Sequence, residues 1–393
     1  MNVFAAVMTG KGTGAISTVQ VFGDSSEAVI KKIFKPTGTK SAKFKTGEIL
    51  LGTINDGDEV IDQVTIGCEG PGTFAIHCHG NPLIVEMIMQ LLKRCGAELL
   101  TTEQLLAKIL AAQKPSGTIA IEAKLAQPKA KTIEGTKIIA NQIEAGLSKK
   151  AQKWLNDTDE NSLDKIKAEA KEILQKSQTA KLIIYGCTVA LIGPPNCGKS
   201  TLLNFLAGRQ KSIVTDIKGT TRDWVEARCR IGSLDVTLID TAGLSEEHLD
   251  PEETIEKSAQ KKTTEILEQA DIVLLILDNS QSENQLDERI LEKIAKRKII
   301  TVLNKSDLSA KFDACKLPET VSNTVQISAK FGTGVEELKE KLRQTCGTVD
   351  FDLHQPVCFT QRQENLLQQL TTSKSKSQAA SIITELLNGQ LCV

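Results

Sequence analysis

Several things are scarce in this 393-residue chain, and each scarcity removes a class of explanation. Its ten cysteines (68, 78, 95, 187, 197, 229, 315, 346, 358 and 392) form no Cys-x-x-Cys pair and no regular spacing, so a disulfide framework is not expected. No uninterrupted apolar stretch approaches the roughly 18 residues that a spanning helix needs. The first residues carry no charged segment followed by a long apolar run. The expectation is therefore a cytoplasmic chain with reduced thiols and no membrane association. Charge of one sign is also missing: 48 Lys and Arg nearly cancel 49 Asp and Glu, leaving −1. That excludes a whole-chain basic footprint for nucleic acid, so any RNA contact must come from a local patch. What remains is ordinary globular usage, 40% hydrophobic and 25% charged, at a length that predicts two or three domains.

The middle of the chain is rich in signal. "CTVALI" (187–192) is a short β-rich run leading into Gly193-Pro194-Pro195-Asn196-Cys197-Gly198-Lys199-Ser200-Thr201, and "LLNFLAG" continues with helical spacing. This is a phosphate-binding loop in its strand-loop-helix context. Its glycines let backbone N–H groups approach phosphate oxygens, and the helix N-terminus adds favourable partial charge. Lys199 reaches the β and γ phosphates and Ser200 can ligate Mg²⁺. Asp240-Thr241-Ala242-Gly243 then closes the strand "DVTLID", placing a carboxylate beside the magnesium and the Gly243 N–H near a γ-phosphate. After the buried strand "DIVLLILD" (271–278) come Asn304, Lys305 and Asp307 of an Asn-Lys-x-Asp string. The Asp307 carboxylate can accept from guanine N1–H and the exocyclic NH₂ together. Adenine cannot satisfy it, and a buried acceptor left unpaired costs about 1–3 kcal/mol. Ser328, Ala329 and Lys330 of "ISAK" supply the loop that closes over the base. Four such strings in order specify GTP. One residue is nevertheless absent: after Asp-Thr-Ala-Gly, where many switch GTPases carry a water-orienting glutamine, this chain has Leu244.

Between the phosphate loop and Asp240 lies "IVTDIKGTTRDWVEA", whose Thr221, with Thr220 as the fallback, is the expected second side-chain ligand of magnesium. Pro-Asn-x-Gly-Lys-Ser, Thr-Asp-Ile-x-Gly-Thr-Thr-Arg-Asp and Asp-Thr-Ala-Gly-Leu together resemble the bacterial tRNA-modification GTPases called MnmE or TrmE. Ribosome-assembly GTPases share weaker versions. The resemblance implies an answer to Leu244: a potassium ion between the β and γ phosphates, in a site completed when two G domains face each other. Its implied ligands are the Asn196 side chain and the carbonyls of Thr215, Ile217 and Thr220, and the implied water-orienting glutamate is Glu256 in "TIEKSAQKK". Glu256 also reads as a solvated first-turn helix residue.

The flanks extend the resemblance. Residues 1–113 read as an N-terminal α/β domain, from the alternating "GAISTVQVFG" and the amphipathic "NPLIVEMIMQLLKRCG". His77 and His79 share one face of a strand, as a metal pair would, but no other histidine is near in sequence and a structural role is the preferred reading. The His-Cys-His-Gly string resembles the family's domain that binds formyl-tetrahydrofolate and makes the homodimer. Against the folate stand "GPGTF" and "LTTEQLLAKILAAQKPSGTIAIEAKLAQ", where the family has Ser-Tyr-Thr-Gly-Glu-Asp and Pro-Gly-Glu-Phe…Arg-Ala-Phe-Leu-Asn-Gly-Lys. Apolar stripes in "TKIIANQIEAGL", "SLDKIKAEAKEILQK", "ENLLQQL" and "QAASIITELLNGQL" predict a helical domain in two parts, 114–182 and 349–393. A capping box at Thr360–Gln363 opens the second part. The fold class is thus α/β plus α, with a Ras-like P-loop G domain (183–348) of parallel-type sheet flanked by helices, inserted into the helical domain. Lysines 129, 131, 137, 149, 150 and 153 could face RNA phosphates, but interspersed glutamates favour a solvated face. Cys392 matches in position the cysteine of the family's Cys-x-Gly-Lys, which implies a role in modifying the wobble uridine.

Three readings follow. The first is a GTPase that, with a flavin-dependent partner, modifies the wobble uridine of certain tRNAs. The second is a GTP-dependent regulator or assembly factor that has lost the modification chemistry, and the third is a scaffold that binds GTP without turnover. Intact Lys199, Ser200, Thr221, Asp240 and Asp307 weigh against the third.

Overall fold

The computed structural model describes residues 2–10, 12–38, 44–112, 117–156, 162–208, 225–240, 264–282, 285, 288–295 and 297–389. Two compact units emerge, Met1–Leu125 with Asn388–Val393 and Ala126–Leu387.

The first unit is built on a seven-stranded sheet of β1 (Phe4–Val7), β2 (Ile16–Phe22), β3 (Phe34–Pro36), β4 (Ile49–Asp56), β5 (Glu59–Gly70), β6 (Thr73–His79) and β7 (Glu98–Leu99), in the order β3-β4-β5-β6-β2-β1-β7. All pairings are antiparallel except β1 with β7. Alternation in β2 buries Val19 and Val21. Helices α1 (Ser26–Ile33) and α2 (Pro82–Arg94) cover that face with Ile30, Ile33, Ile88 and Leu92. Successive residues of β1 serve opposite faces: Ala5 joins that core, while Ala6 packs with Leu105 and Ile109 of α3 (Thr102–Ala112). Helix α2 starts where the sequence signals it, with Pro82 in its first turn and the Asn81 side chain accepting from Leu83 N at 3.0 Å. The strand histidines, His77 half-buried and His79 exposed, each find a partner on a neighbouring strand. His77 Nδ1 lies 3.0 Å from Thr18 Oγ1, and His79 Nδ1 lies 2.7 Å from Asp62 Oδ1. Among the described residues, no group of three or more His, Cys, Asp or Glu could hold a metal. Helix α4 (Thr118–Ala126) completes the unit, and Thr118 Oγ1 donates to Gly389 O at 2.6 Å.

In the second unit, helices α5 (Ile133–Glu144), α6 (Leu147–Asn156) and α7 (Ser162–Tyr185) precede a six-stranded sheet. Its strands are β8 (Cys187–Ile192), β9 (Val225–Ile231), β10 (Leu234–Asp240), β11 (Ile272–Asp278), β12 (Lys298–Asn304) and β13 (Thr324–Gln326), ordered β13-β12-β11-β8-β10-β9. Every pairing is parallel except β9 with β10. Strand β11 is buried along its whole length, as an apolar run inside a covered parallel sheet must be. Helices α8 (Lys199–Ala207), α9 (Glu288–Ile294) and α10 (Val335–Cys346) belong to this part, and α11 (Gln361–Thr371) and α12 (Lys376–Asn388) follow.

Helix α7 buries Ile166, Ala170, Ile173, Ser177, Ala180 and Ile184 at helical spacing, and Leu163 is half-buried. The helices on either side of the G domain meet through polar groups as well as apolar stripes. The fully buried Gln142 on α5 accepts from Leu147 N at 2.8 Å and Val357 N at 3.1 Å, and donates to Ile138 O at 3.0 Å and Gln355 O at 3.2 Å. Thr360 caps α11 by accepting from Gln363 N at 3.3 Å. Gln363 Oε1 in turn accepts from Phe359 N, one residue before the cap, at 3.0 Å. Among the described residues no helix is long and apolar enough to cross a membrane.

Candidate functional site

Three parallel strands, β8, β11 and β12, end on one edge of the sheet, and their loops assemble the site there. The loop after β8 is shaped by close approach. A Cβ at Gly193 would lie 2.1 Å from Ile276 O, and one at Gly198 (φ +97) 2.2 Å from the Asn304 amide nitrogen. Asn196 sits in the left-handed region (φ 60), which asparagine tolerates better than most side chains, and is exposed. Lys199 is buried, and its Nζ donates to Gly193 O at 2.9 Å and Pro194 O at 2.8 Å, lying back over the loop. Burial pushes the neighbouring Cys197 thiol up, against the pull of the Lys199 ammonium. Thr201 is exposed in the first turn of α8. The N–H groups that open a helix, together with those of the loop before it, make an anion site of the kind phosphates occupy.

Ser200 Oγ and Asp240 Oδ2 converge at 2.6 Å, from α8 and the end of β10. A hydroxyl and a carboxylate oxygen beside a phosphate loop are hard donors, which fit Mg²⁺ together with phosphate oxygens and water.

A hydrogen-bond net joins the loops at the base-reading end. Asn304 is buried; its Nδ2 donates to Cys197 O at 2.8 Å and its Oδ1 accepts from Ala329 N at 2.9 Å. Ser328 Oγ donates to Asp307 Oδ1 at 2.6 Å, and Ser306 N donates to Ile327 O at 3.0 Å. Asp307 is thereby held with a second carboxylate oxygen available for a base. Lys330 stands apart from this net, with its ammonium 5.0 Å from the centroid of the exposed Phe331 ring. Of the residues singled out from the sequence, Thr215, Ile217, Thr220, Thr221, Gly243, Glu256 and Cys392 lie outside the described residues.

One side chain in these loops was not singled out by its sequence. Asp278 ends β11 with its side chain 3% exposed; Oδ2 accepts from Lys305 Nζ at 2.6 Å, and Oδ1 accepts from Ser280 N at 2.9 Å and Ser280 Oγ at 2.6 Å. Burial alone would raise its carboxyl, but the hydrogen bonds from Lys305 and Ser280 outweigh it and hold it below the ordinary 3.8. The signal available beforehand was a lone carboxylate closing an otherwise apolar run.

Residues 188–305 match the model of the 50S ribosome-binding GTPase family, and residues 3–103 match the model of the GTP-binding protein TrmE N-terminus. The tRNA modification GTPase MnmE of Enterococcus faecalis is 32% identical over 379 residues, covering 87% of this chain and 80% of its own. The protein of the same name from Lactobacillus gasseri is 30% identical over 421 residues, covering 98% of this chain and 88% of its own.

Proposed function

Because the chain belongs to the MnmE family of tRNA-modification GTPases, we propose that it hydrolyses GTP in the course of modifying C5 of the wobble uridine in certain tRNAs, with a flavin-dependent partner protein. The observation that carries the GTPase part is the net joining Cys197, Asn304, Ala329, Ser328 and Asp307, which brings phosphate loop and base-reading loops together at hydrogen-bond distance. In this reading Lys199 turns from the Gly193 and Pro194 carbonyls to the β and γ phosphates, while Asp307 selects guanine. Ser200 and Thr221, with Asp240 behind them, hold Mg²⁺, which neutralises charge on the phosphate oxygens when bound.

Leu244 cannot orient water, so the reading assigns that work to Glu256 and places a potassium site at Asn196 with the carbonyls of Thr215, Ile217 and Thr220. Positive charge fixed there faces the developing charge of the transition state, and such charge is worth about 10³–10⁵ in rate where an arginine supplies it. Asn196 is exposed on the loop, consistent with a site completed by a second G domain in a homodimer. The reading includes a cytoplasmic location and four regions: 1–113 for dimerisation, 183–348 as G domain, and 114–182 with 349–393 as the helical domain carrying Cys392. Folate binding at 1–113 is not part of it.

The test is GTP turnover by the purified protein in KCl and in NaCl at matched ionic strength, with Asn196→Ala alongside. Faster hydrolysis in potassium that the variant loses is expected; equal rates in both salts refute the potassium site. Nucleoside analysis of tRNA from cells with and without the gene separates the modifying enzyme from a regulator that kept only the switch.

A further inference from the structure

Lys305 lies between Asn304 and Asp307 of the base-reading loop, and it is held at both ends. Its backbone is left-handed (φ 63), a region that a side chain with a Cβ rarely occupies unless its surroundings impose it. Ser306 N bonded to Ile327 O and Leu308 N bonded to Lys305 O at 3.0 Å impose it here. The tip is tied as well, to Asp278 Oδ2 at 2.6 Å. With backbone and ammonium both fixed, the four-carbon stem spans from the Asn304–Asp307 loop to the end of β11. Asp278 is in turn fixed by Ser280 on its other oxygen and by Gln285, whose Oε1 accepts from Asp278 N at 2.7 Å and whose Nε2 donates to Asp278 O at 2.8 Å. Its carboxylate is buried beneath the Lys305 ammonium, with 3% of the side chain exposed.

We propose that Asp278 is a positioning residue for guanine-nucleotide binding, anchoring the Lys305 ammonium so that the lysine stem stands ready as an apolar wall against the flat face of the base. The inference rests on the reading of Asn304–Asp307 as the base-reading loop. A free lysine must lose its rotamer freedom when the nucleotide arrives, whereas an anchored one has already lost it. Ordering one such side chain corresponds to about 2- to 12-fold in affinity. The effect falls on the base, which GDP and GTP share, and not on the γ-phosphate.

Affinities for GDP and GTP are measured by calorimetry on the full chain, with steady-state hydrolysis alongside, for Asp278→Asn, Lys305→Met, the double variant and Asp307→Asn. Asp278→Asn and Lys305→Met are each expected to weaken GDP and GTP equally by about 2- to 12-fold, raising KM while kcat at saturation stays within about two-fold of the parent. The double variant is expected to bind no more weakly than Lys305→Met alone, which a merely structural role of Asp278 would not produce. Parental affinity in Asp278→Asn, its full effect persisting on the Lys305→Met background, or a fall confined to kcat each overturns the proposal. If Asp278→Asn does not fold, Lys305→Met decides, because parental affinity there leaves nothing for an anchor to do. Parental GTP affinity in Asp307→Asn would instead sink the base-loop reading itself.

Discussion

Glu169 accepts two hydrogen bonds from α6, one from Trp154 Nε1 at 2.7 Å and one from Lys150 Nζ at 2.8 Å. Burial works against its ionisation, yet the two donors prevail and hold the carboxyl below the ordinary 4.5. An acid depressed by folding contributes stability that is complete above its unfolded value and is lost as pH falls through the lower, folded one. The window for this pair is therefore below pH 4.5. With about a quarter of each charged side chain exposed, solvent screening keeps the energy small and makes spectroscopy the better readout. In a Trp224→Phe background, Trp154 fluorescence is expected to change on acidification below pH 4.5, and Glu169→Gln is expected to flatten that titration. A change persisting in Glu169→Gln would assign it elsewhere. At this scale the nucleotide strings were legible because each holds its chemistry within a few neighbouring residues. Asp278 was not, because its partner Lys305 is 27 residues away.

Among the elements, the crossing of α5 and α7 depends on a missing side chain. A Cβ at Gly135 would lie 2.7 Å from Ile184 Cα and 3.1 Å from Ile183 O. Thr132 reinforces the approach, capping Gly135 N at 2.9 Å while donating to Ile183 O at 2.7 Å. Gly135→Ala gains about 1 kcal/mol of helix propensity. Pushing two backbones apart costs more, so a net loss of about 1–2 kcal/mol is expected in urea unfolding; a stabilised variant would show that the helices can separate freely. The apolar stripes of these helices could be read beforehand from their period. Which residue of one helix touches which of another could not, and the Thr360 cap shows the same gap: spacing named Gln363, while the bond it accepts from Phe359 N appears only in the fold.

At the scale of the whole molecule, the helices before and after the sheet in the second unit share their buried groups. Tyr185 OH donates to Phe359 O at 2.7 Å, Cys358 N donates to Ser177 Oγ at 2.7 Å, and Gln142 binds Gln355 and Val357. A chain cut after residue 348 leaves Gln142 and the stripe of α7 without these partners. Circular dichroism of such a chain is expected to lose more helix than α11 and α12 account for. Retention of α5–α7 helicity would mean that the first half folds without the second.

Strand and helix periods, the order of the nucleotide strings and the choice of guanine over adenine were determined by the sequence, since each depends on residues close together along the chain. The tertiary structure decided the pairings: Asn304 with Cys197 across 107 positions, Gln142 with Val357 across 215, and Asp278 with Lys305. The physical reason is that a hydrogen bond is short in space but indifferent to separation in sequence. A sequence therefore shows which donors and acceptors exist, and only folding brings one to about 3 Å from another.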